Sequence, residues 1–457
     1  MLFNSFAFLL VFLPAALILH WLAERYSPQW RLPLLAVLSL MFYGYWDWRF
    51  LPLLMISILF NWIVARVFGH WSQRALIWCA IIVNLLVLGV FKYADFAMGI
   101  AGNFLQQTFD PLALALPLGI SFFTFHHIMY LTDLKAGRAP QFGLIRYTLY
   151  IAFFPQVLAG PLVRWTEIMH QFDERPYLRS DAAERFARGL VLLAIGLGKK
   201  VFIGDPLSLY VNPAYEAAAA AGAVSVQAAW QALLAFPLQI YFDFSGYTDM
   251  ALGIALMFGI VLPQNFERPY RATSLQDFWR RWHMTLSRFL RDYLYIGLGG
   301  NRHGLALQLF ALFMTMTLGG LWHGAGLTYV VWGMMHGAGL AIGVAWHKAG
   351  MRMPPLAGWV LTTVFIALTF VLFRSPNFDT AWTMYDALIG HGLDGERIRW
   401  RTILLAAVVA LAGPTAWAFT NRVPPWRSVA ALLAVMFVVI LFKIGDDANY
   451  EFIYFQF

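Results

Sequence analysis

The sequence has a single cysteine in 457 residues, Cys79, and it lies inside an apolar run. No disulfide and no cysteine-based metal site can form within the chain. Charge is nearly as scarce. Asp, Glu, Lys and Arg make up 12% of the residues, against about 25% in soluble domains. A water-facing surface cannot be built from so few charges, and 60% of the chain is hydrophobic. The same figures exclude a disordered, collagen-like or disulfide-stapled chain. The sequence also lacks a P-loop, a dinucleotide glycine fingerprint and a serine-nucleophile elbow. No His-x-x-x-His pair or clustered carboxylate set offers a metal site. What remains is a polytopic membrane protein.

Long uncharged runs carry that reading. They fall at 1–23, 32–46, 50–65, 75–91, 111–132, 147–163, 217–242, 250–266, 303–347, 353–373, 402–421 and 428–442. A spanning helix needs about 20 apolar residues, so the run at 303–347 has room for two passes. With the segment 189–204 added, the count reaches roughly 11–14 transmembrane or re-entrant helices. No alternating strand pattern recurs, so only helices fit. The start, MLFNSFAFLL, has no basic stretch and no small-residue cleavage site. It is expected to be a retained first helix.

The net charge is +8, from 32 Lys and Arg against 24 Asp and Glu. Basic residues collect in cytoplasmic loops of membrane proteins, so this excess does not call for nucleic acid. Taken in order, 24–31, 66–74 and 133–146 lean basic and 92–110 leans acidic, which places the N-terminus outside. The segment 267–302 holds seven Arg against Glu267, Asp277 and Asp292 and is expected inside. No linker or internal repeat divides the chain, and 1–457 is expected to be a single membrane domain.

Ionisable residues in apolar segments are functional candidates by default. His323 lies in GGLWHGAG near the middle of the longest uncharged run. A desolvated imidazole there is neutral and can take a proton from a hydroxyl. A histidine that merely bonds a neighbouring helix is an equal alternative on the residues alone. His283 lies in WRRWHMTLSRFLRDYLYIGLGGN. Ser274 and Asp277 form a capping box that starts a helix near Leu275. Phe278, Trp282, Leu286, Phe289 and Tyr293 then make an apolar stripe beside Arg280, Arg281, Arg288 and Arg291. This predicts one amphipathic, Arg-rich helix at the cytoplasmic interface. Its basic face suits either lipid headgroups or an anionic donor such as a nucleotide or phosphopantetheine arm, and the residues alone favour headgroups. His126, His127 and His336 lack ligand spacing. Asp243 and Asp249, in QIYFDFSGYTDMA, either line a cavity or sit in a short outer loop; the charge pattern favours the loop.

Together these stretches resemble the membrane-bound O-acyltransferase family. The branch is that of the membrane subunit of bacterial alginate O-acetylation and the D-alanyl transfer protein of teichoic acids. The matching segments are FFPQVLAGPLVRW (153–165), YFDFSGYTDMALG (241–253), NFERPYRATSLQDFWRRWHMTLSRFLRDYLYIGLGGN (265–301), GGLWHGA (319–325) and FIYFQF (452–457). The resemblance implies a ring of tilted helices around a central funnel and tunnel in a bacterial inner membrane. It implies a catalytic histidine in the WHG motif, here His323, and a second signature histidine in WRRWH, here His283. Trp322, Trp282, Asp243, Asp249, Arg281, Arg291 and Asn301 are expected in support. The implied reaction moves an acyl group, chiefly acetyl, from acetyl-CoA or another cytoplasmic thioester to a hydroxyl, with no resident cofactor. An SGNH-type periplasmic or extracellular partner would then modify the polysaccharide. D-alanyl transfer, a glycan or lipid flippase and a secretion scaffold are the competing functions. Charge puts His283 at the cytoplasmic face while a two-pass 303–347 puts His323 near the outer turn; the two meet only if one segment is re-entrant.

Overall fold

The computed structural model describes residues 2–158, 160–422 and 427–446. The terminal FIYFQF motif lies outside them. Among the described residues, twenty α-helices follow one another: α1 Leu13–Tyr26, α2 Arg31–Trp46, α3 Leu51–Trp71, α4 Arg74–Leu105, α5 Ile120–Lys135, α6 Leu144–Ala152, α7 Phe154–Val157, α8 Trp165–Ile168, α9 Ala182–Lys199, α10 Asp205–Ala221, α11 Val226–Met257, α12 Leu275–Arg281, α13 Met284–Phe289, α14 Leu305–His323, α15 Leu327–Lys348, α16 Pro355–Arg374, α17 Phe378–Asp386, α18 Trp400–Ala412, α19 Ala416–Arg422 and α20 Arg427–Asp446. No strand occurs among the described residues; one isolated bridge joins Ser225 and Leu393.

The chain is an all-α, multi-pass membrane protein. Among the described residues, six helical stretches are long and apolar enough to cross: Ala7–Tyr26, Trp48–Trp71, Arg74–Leu105, Leu305–His323, Leu327–Lys348 and Pro355–Arg374. The α18–α19 pair, bent by 60°, makes a seventh if counted as one span. This is fewer than the uncharged runs suggest, for three reasons. The runs at 217–242 and 250–266 are joined in the single helix α11, which carries Asp243 and Asp249 in its interior. The outer loop expected around those two aspartates is therefore absent. The run at 147–163 breaks into the nine residues of α6 and the four of α7, with Pro155 in the first turn of α7. The runs at 32–46 and 111–132 give helices of only 16 residues. Conversely, α4 extends through Lys92 and Asp95 for 32 residues and ends at Leu105, so most of the expected acidic loop at 92–110 is helix. The run at 303–347 does form two long helices, α14 and α15.

The described residues fall into two compact units. The first takes Met1–Leu197, Tyr247–Pro263 and Thr420–Asp447. Its core is aromatic: Phe8, Phe12, Phe42 and Phe154 meet at ring centroids of 5.4–6.3 Å. Buried amides join α3 to α4 reciprocally, Asn61 Nδ2 to Asn84 Oδ1 at 3.0 Å and the reverse at 2.7 Å. The second unit takes Gly198–Gly246 and Gln264–Phe419. Here α14 and α15 touch backbone to backbone. A Cβ on Gly320 would lie 2.3 Å from the Tyr329 carbonyl oxygen, and one on Gly337 would lie 2.8 Å from Phe313 Cα. Small residues at such crossings let helices approach closely in a membrane.

Candidate active site

The segment that carries His283 starts as the capping box predicts. Ser274 Oγ accepts the Asp277 amide at 3.1 Å, and Arg281 pairs one turn back with Asp277 at 2.9 Å. The long amphipathic helix does not form. Helix α12 stops at Arg281, Trp282 is extended, and His283 takes left-handed dihedrals, φ 41° and ψ 54°. Helix α13 restarts at Met284 and passes into a π-helical turn, Leu290–Tyr295. The expected stripe is thereby broken, and its residues turn inward separately. Trp282 stacks on Phe278 at 5.6 Å and meets Phe266 edge-on at 5.1 Å. His283 is wholly buried, with the edge of Phe244 at 4.8 Å.

His323 is the last residue of α14 and is 6% exposed. Its ring lies edge-on to Trp332 and Phe373, each at 5.3 Å. The indole of Trp322 touches both histidines, with centroids 4.9 Å from His323 and 6.4 Å from His283. Between His283 and Leu305 the chain holds only α13 and the π turn, neither long enough to cross a membrane. The two imidazoles thus share one aromatic wall inside the second unit. Burial pushes His283 down from 6.5 to about 3, so its ring is neutral near pH 7. Neither of its nitrogens has a hydrogen-bond partner among the described residues. A buried polar group without a partner is costly in a folded chain, and a ligand that meets it removes that cost.

The other predicted residues are spread more widely. Asp243 is buried on α11, and its Oδ1 accepts from Lys200 Nζ at 2.8 Å. Asp249 lies on the same helix but in the first unit. Arg281 is engaged with Asp277, as above. Arg291 is 61% exposed and pairs with its neighbour Asp292 at 2.7 Å. Asn301 is exposed in the turn before α14. Two residues not singled out from the sequence stand close to this group. Lys200, fully buried, bonds Asp205 as well as Asp243, each at 2.8 Å. Its position at the end of an apolar segment was the available signal. Trp332 lies between His323 and His336, 4.5 Å from the latter. His336, treated as a weak candidate from sequence, accepts from Trp279 Nε1 at 3.2 Å and reaches Thr369 Oγ1 at 3.2 Å. Among the described residues, no group of three or more His, Cys, Asp or Glu stands ready to hold a metal.

The family model for membrane-bound O-acyltransferases matches residues 68–374, a span that contains both histidines and their aromatic wall. The chain belongs to the membrane-bound O-acyltransferase family. It is an O-acyltransferase. Over 86% of its length it is 41% identical to a probable alginate O-acetylase, AlgI, of Pseudomonas aeruginosa, covering 75% of that protein. It is 38% identical to a peptidoglycan O-acetyltransferase of Helicobacter pylori, over 85% of this chain and 80% of the relative. A teichoic acid D-alanyltransferase of Bacillus subtilis is 25% identical over 69% of this chain and 84% of its own.

Proposed function

We propose that this O-acyltransferase moves an acetyl group from a cytoplasmic thioester, acetyl-CoA or a related donor, to a hydroxyl presented from the other side of a bacterial inner membrane. The product serves O-acetylation of an extracytoplasmic polysaccharide, through an SGNH-type acyltransferase partner outside the membrane. The observation that carries this reading is the pair of buried histidines on one indole. His323 is the general base. It takes the proton from the acceptor hydroxyl as the oxygen attacks the thioester carbonyl. The tetrahedral oxyanion collapses, the carbon–sulfur bond breaks, and the thiolate leaves with the proton that His323 had taken. His283, neutral and without a protein partner, orients the donor or shares that proton. Trp322 holds the two rings apart and keeps water away. Asp243 acts at one remove, through Lys200 and through Phe244, its neighbour in sequence, which packs on His283. We propose that the chain works as a single membrane domain around a central passage, open to the donor on one face and the acceptor on the other.

The 38–41% identical relatives named for O-acetylation favour acetyl over D-alanyl transfer. Purified full-length protein given acetyl-CoA or a D-alanyl carrier protein, each labelled in the acyl group, separates the two. The expected result is acetyl turnover that His323→Ala lowers by about 10²–10⁴-fold, the usual contribution of base catalysis, with unchanged yield of folded protein. Near-normal transfer by that variant refutes the base assignment.

A further inference from the structure

His283 holds a backbone conformation that an L-residue rarely adopts, and nothing within its own short helix imposes it. It caps α13 with its backbone alone, making no side-chain capping bond. The first amides of a helix need outside acceptors. Those of α13 find them on one distant residue, Asn265. The Asn265 carbonyl oxygen accepts from the Met284 amide at 2.9 Å. Its Oδ1 accepts from the Thr285 amide at 3.3 Å and from Thr285 Oγ1 at 2.6 Å. Two residues on, the Glu267 amide donates to the Arg281 carbonyl at 2.9 Å, so the 265–267 strand of chain grips the turn on both sides of His283. Phe266, between them, packs against Trp282 and Phe244 at 5.1 and 5.0 Å. Asn265 itself is fully buried.

The amide of Asn265 has only one possible orientation. A backbone N–H can only donate, so the oxygen faces Thr285 and the NH2 group faces away from it. That NH2 has no acceptor among the described residues. The residue that holds the amides after His283 thus has an open buried donor, and His283 has an open buried ring; buried polar groups of this kind call for a partner. We propose that Asn265 is the positioning residue of the acyl-transfer site: its two oxygens hold the left-handed turn that aims His283, and its NH2 donates to a carbonyl of the bound acyl donor. The proposal rests on the acyl-transfer reading of the two histidines.

The test uses full-length Asn265→Ala, Asn265→Asp and Thr285→Val, with acetyl-CoA as probe. Alanine removes the side-chain clamp and the donor together and is expected to lower kcat by roughly 10²-fold, with little change in KM. Asp keeps the clamping oxygen at any pH but offers a donor only as the neutral acid, a form that burial favours. The nearby titratable groups are His283, Glu267 with Arg268, and Arg281 with Asp277. All are present in the wild type, so the Asp-to-wild-type kcat ratio isolates the introduced acid. That ratio is expected to rise about tenfold or more between about pH 8 and pH 5.5. A merely structural role changes the yield of folded protein and leaves this ratio flat. If the alanine variant does not fold, Thr285→Val, which removes one clamping bond, is expected to show an intermediate loss in kcat. Wild-type kcat in Asn265→Ala, a flat Asp ratio, or wild-type kcat in Thr285→Val overturns the proposal. His323→Ala run alongside separates this failure from the other: if it stays active, the acyl-transfer reading falls; if it is dead while the Asn265 variants are normal, only the role of Asn265 falls.

Discussion

Replacing Lys200 by Met tests how the buried charges near the site are held. The lysine Nζ sits 2.8 Å from both Asp205 and Asp243, with its side chain fully buried and theirs 12% and 4% exposed. At an effective dielectric of about 20, each contact at that distance is worth ~6 kcal/mol of Coulomb energy before desolvation is subtracted. Most of this offsets the cost of taking three charges out of water, so the net value is far smaller. Removing the ammonium leaves the desolvation of the carboxylates without its compensation, and breaking a buried pair in this way costs about 3–5 kcal/mol. For a chain of this length that corresponds to a fall of roughly 3–5 °C in Tm. Asp243→Asn should cost less, about 1–3 kcal/mol, because Lys200 keeps Asp205. In the double variant the losses should fall short of additive, since the partners share one network. Melting of the detergent-solubilised wild type, both single variants and the double variant measures all four corners of the cycle. Asp243 adjoins Phe244, which packs on His283 at 4.8 Å, so both single variants should also lower acyl transfer. A Lys200→Met protein that melts with the wild type, or strictly additive losses, refutes the reasoning.

Two further outcomes follow from the buried histidines. At His336 the indole of Trp279 can only donate, so Nδ1 is the acceptor and Nε2 carries the proton toward Thr369 Oγ1. His336→Leu leaves the Trp279 N–H without its acceptor and should destabilise by about 1–3 kcal/mol, more than Thr369→Val; equal melting of the two variants contradicts this. His283 is held down to about 3 in the folded chain against 6.5 when free. The unfolded chain therefore binds its proton first as pH drops, and the wild type should lose stability relative to His283→Gln as pH falls below 6.5. Melts at pH 7 and at about pH 5 decide this, since a free histidine is mostly neutral at the first and almost wholly protonated at the second.

Much of the fold class was legible because a membrane chain advertises itself in composition. The WHG and WRRWH motifs marked the two histidines that the structure sets on Trp322. What the sequence hid was the break at His283. Phe278, Trp282, Leu286, Phe289 and Tyr293 keep a helical period, and the segment from Leu275 to Tyr295 holds no Gly or Pro to interrupt it. The interruption comes from Asn265 and Glu267, whose bonds to the turn are tertiary and leave no local trace. The loop expected around Asp243 fails for a similar reason. A carboxylate amid apolar residues reads as a boundary unless its cation is known, and Lys200 lies 43 positions away.

The two halves of the site differ in how firmly the backbone holds them. His323 ends a 19-residue helix locked to α15 by glycine contacts that admit no added side chain. His283 sits instead in a left-handed turn followed by the π-helical Leu290–Tyr295, with Gly299 and Gly300 at positive φ beyond it. A second π turn, Lys200–Gly204, presents Lys200 to Asp243. Non-helical backbone is tolerated at membrane depth only where protein or a cavity satisfies it, and π turns gather at functional positions. Around His283 the protein supplies that satisfaction through Asn265 and Glu267. With His323, the proposed base, fixed by helix packing and the direction of His283 set by a few hydrogen bonds, substitutions at Asn265 or Lys200 are expected to redirect His283 without moving His323. Changes in the acyl donor accepted are therefore expected to map to the turn, and loss of the proton-transfer step to α14.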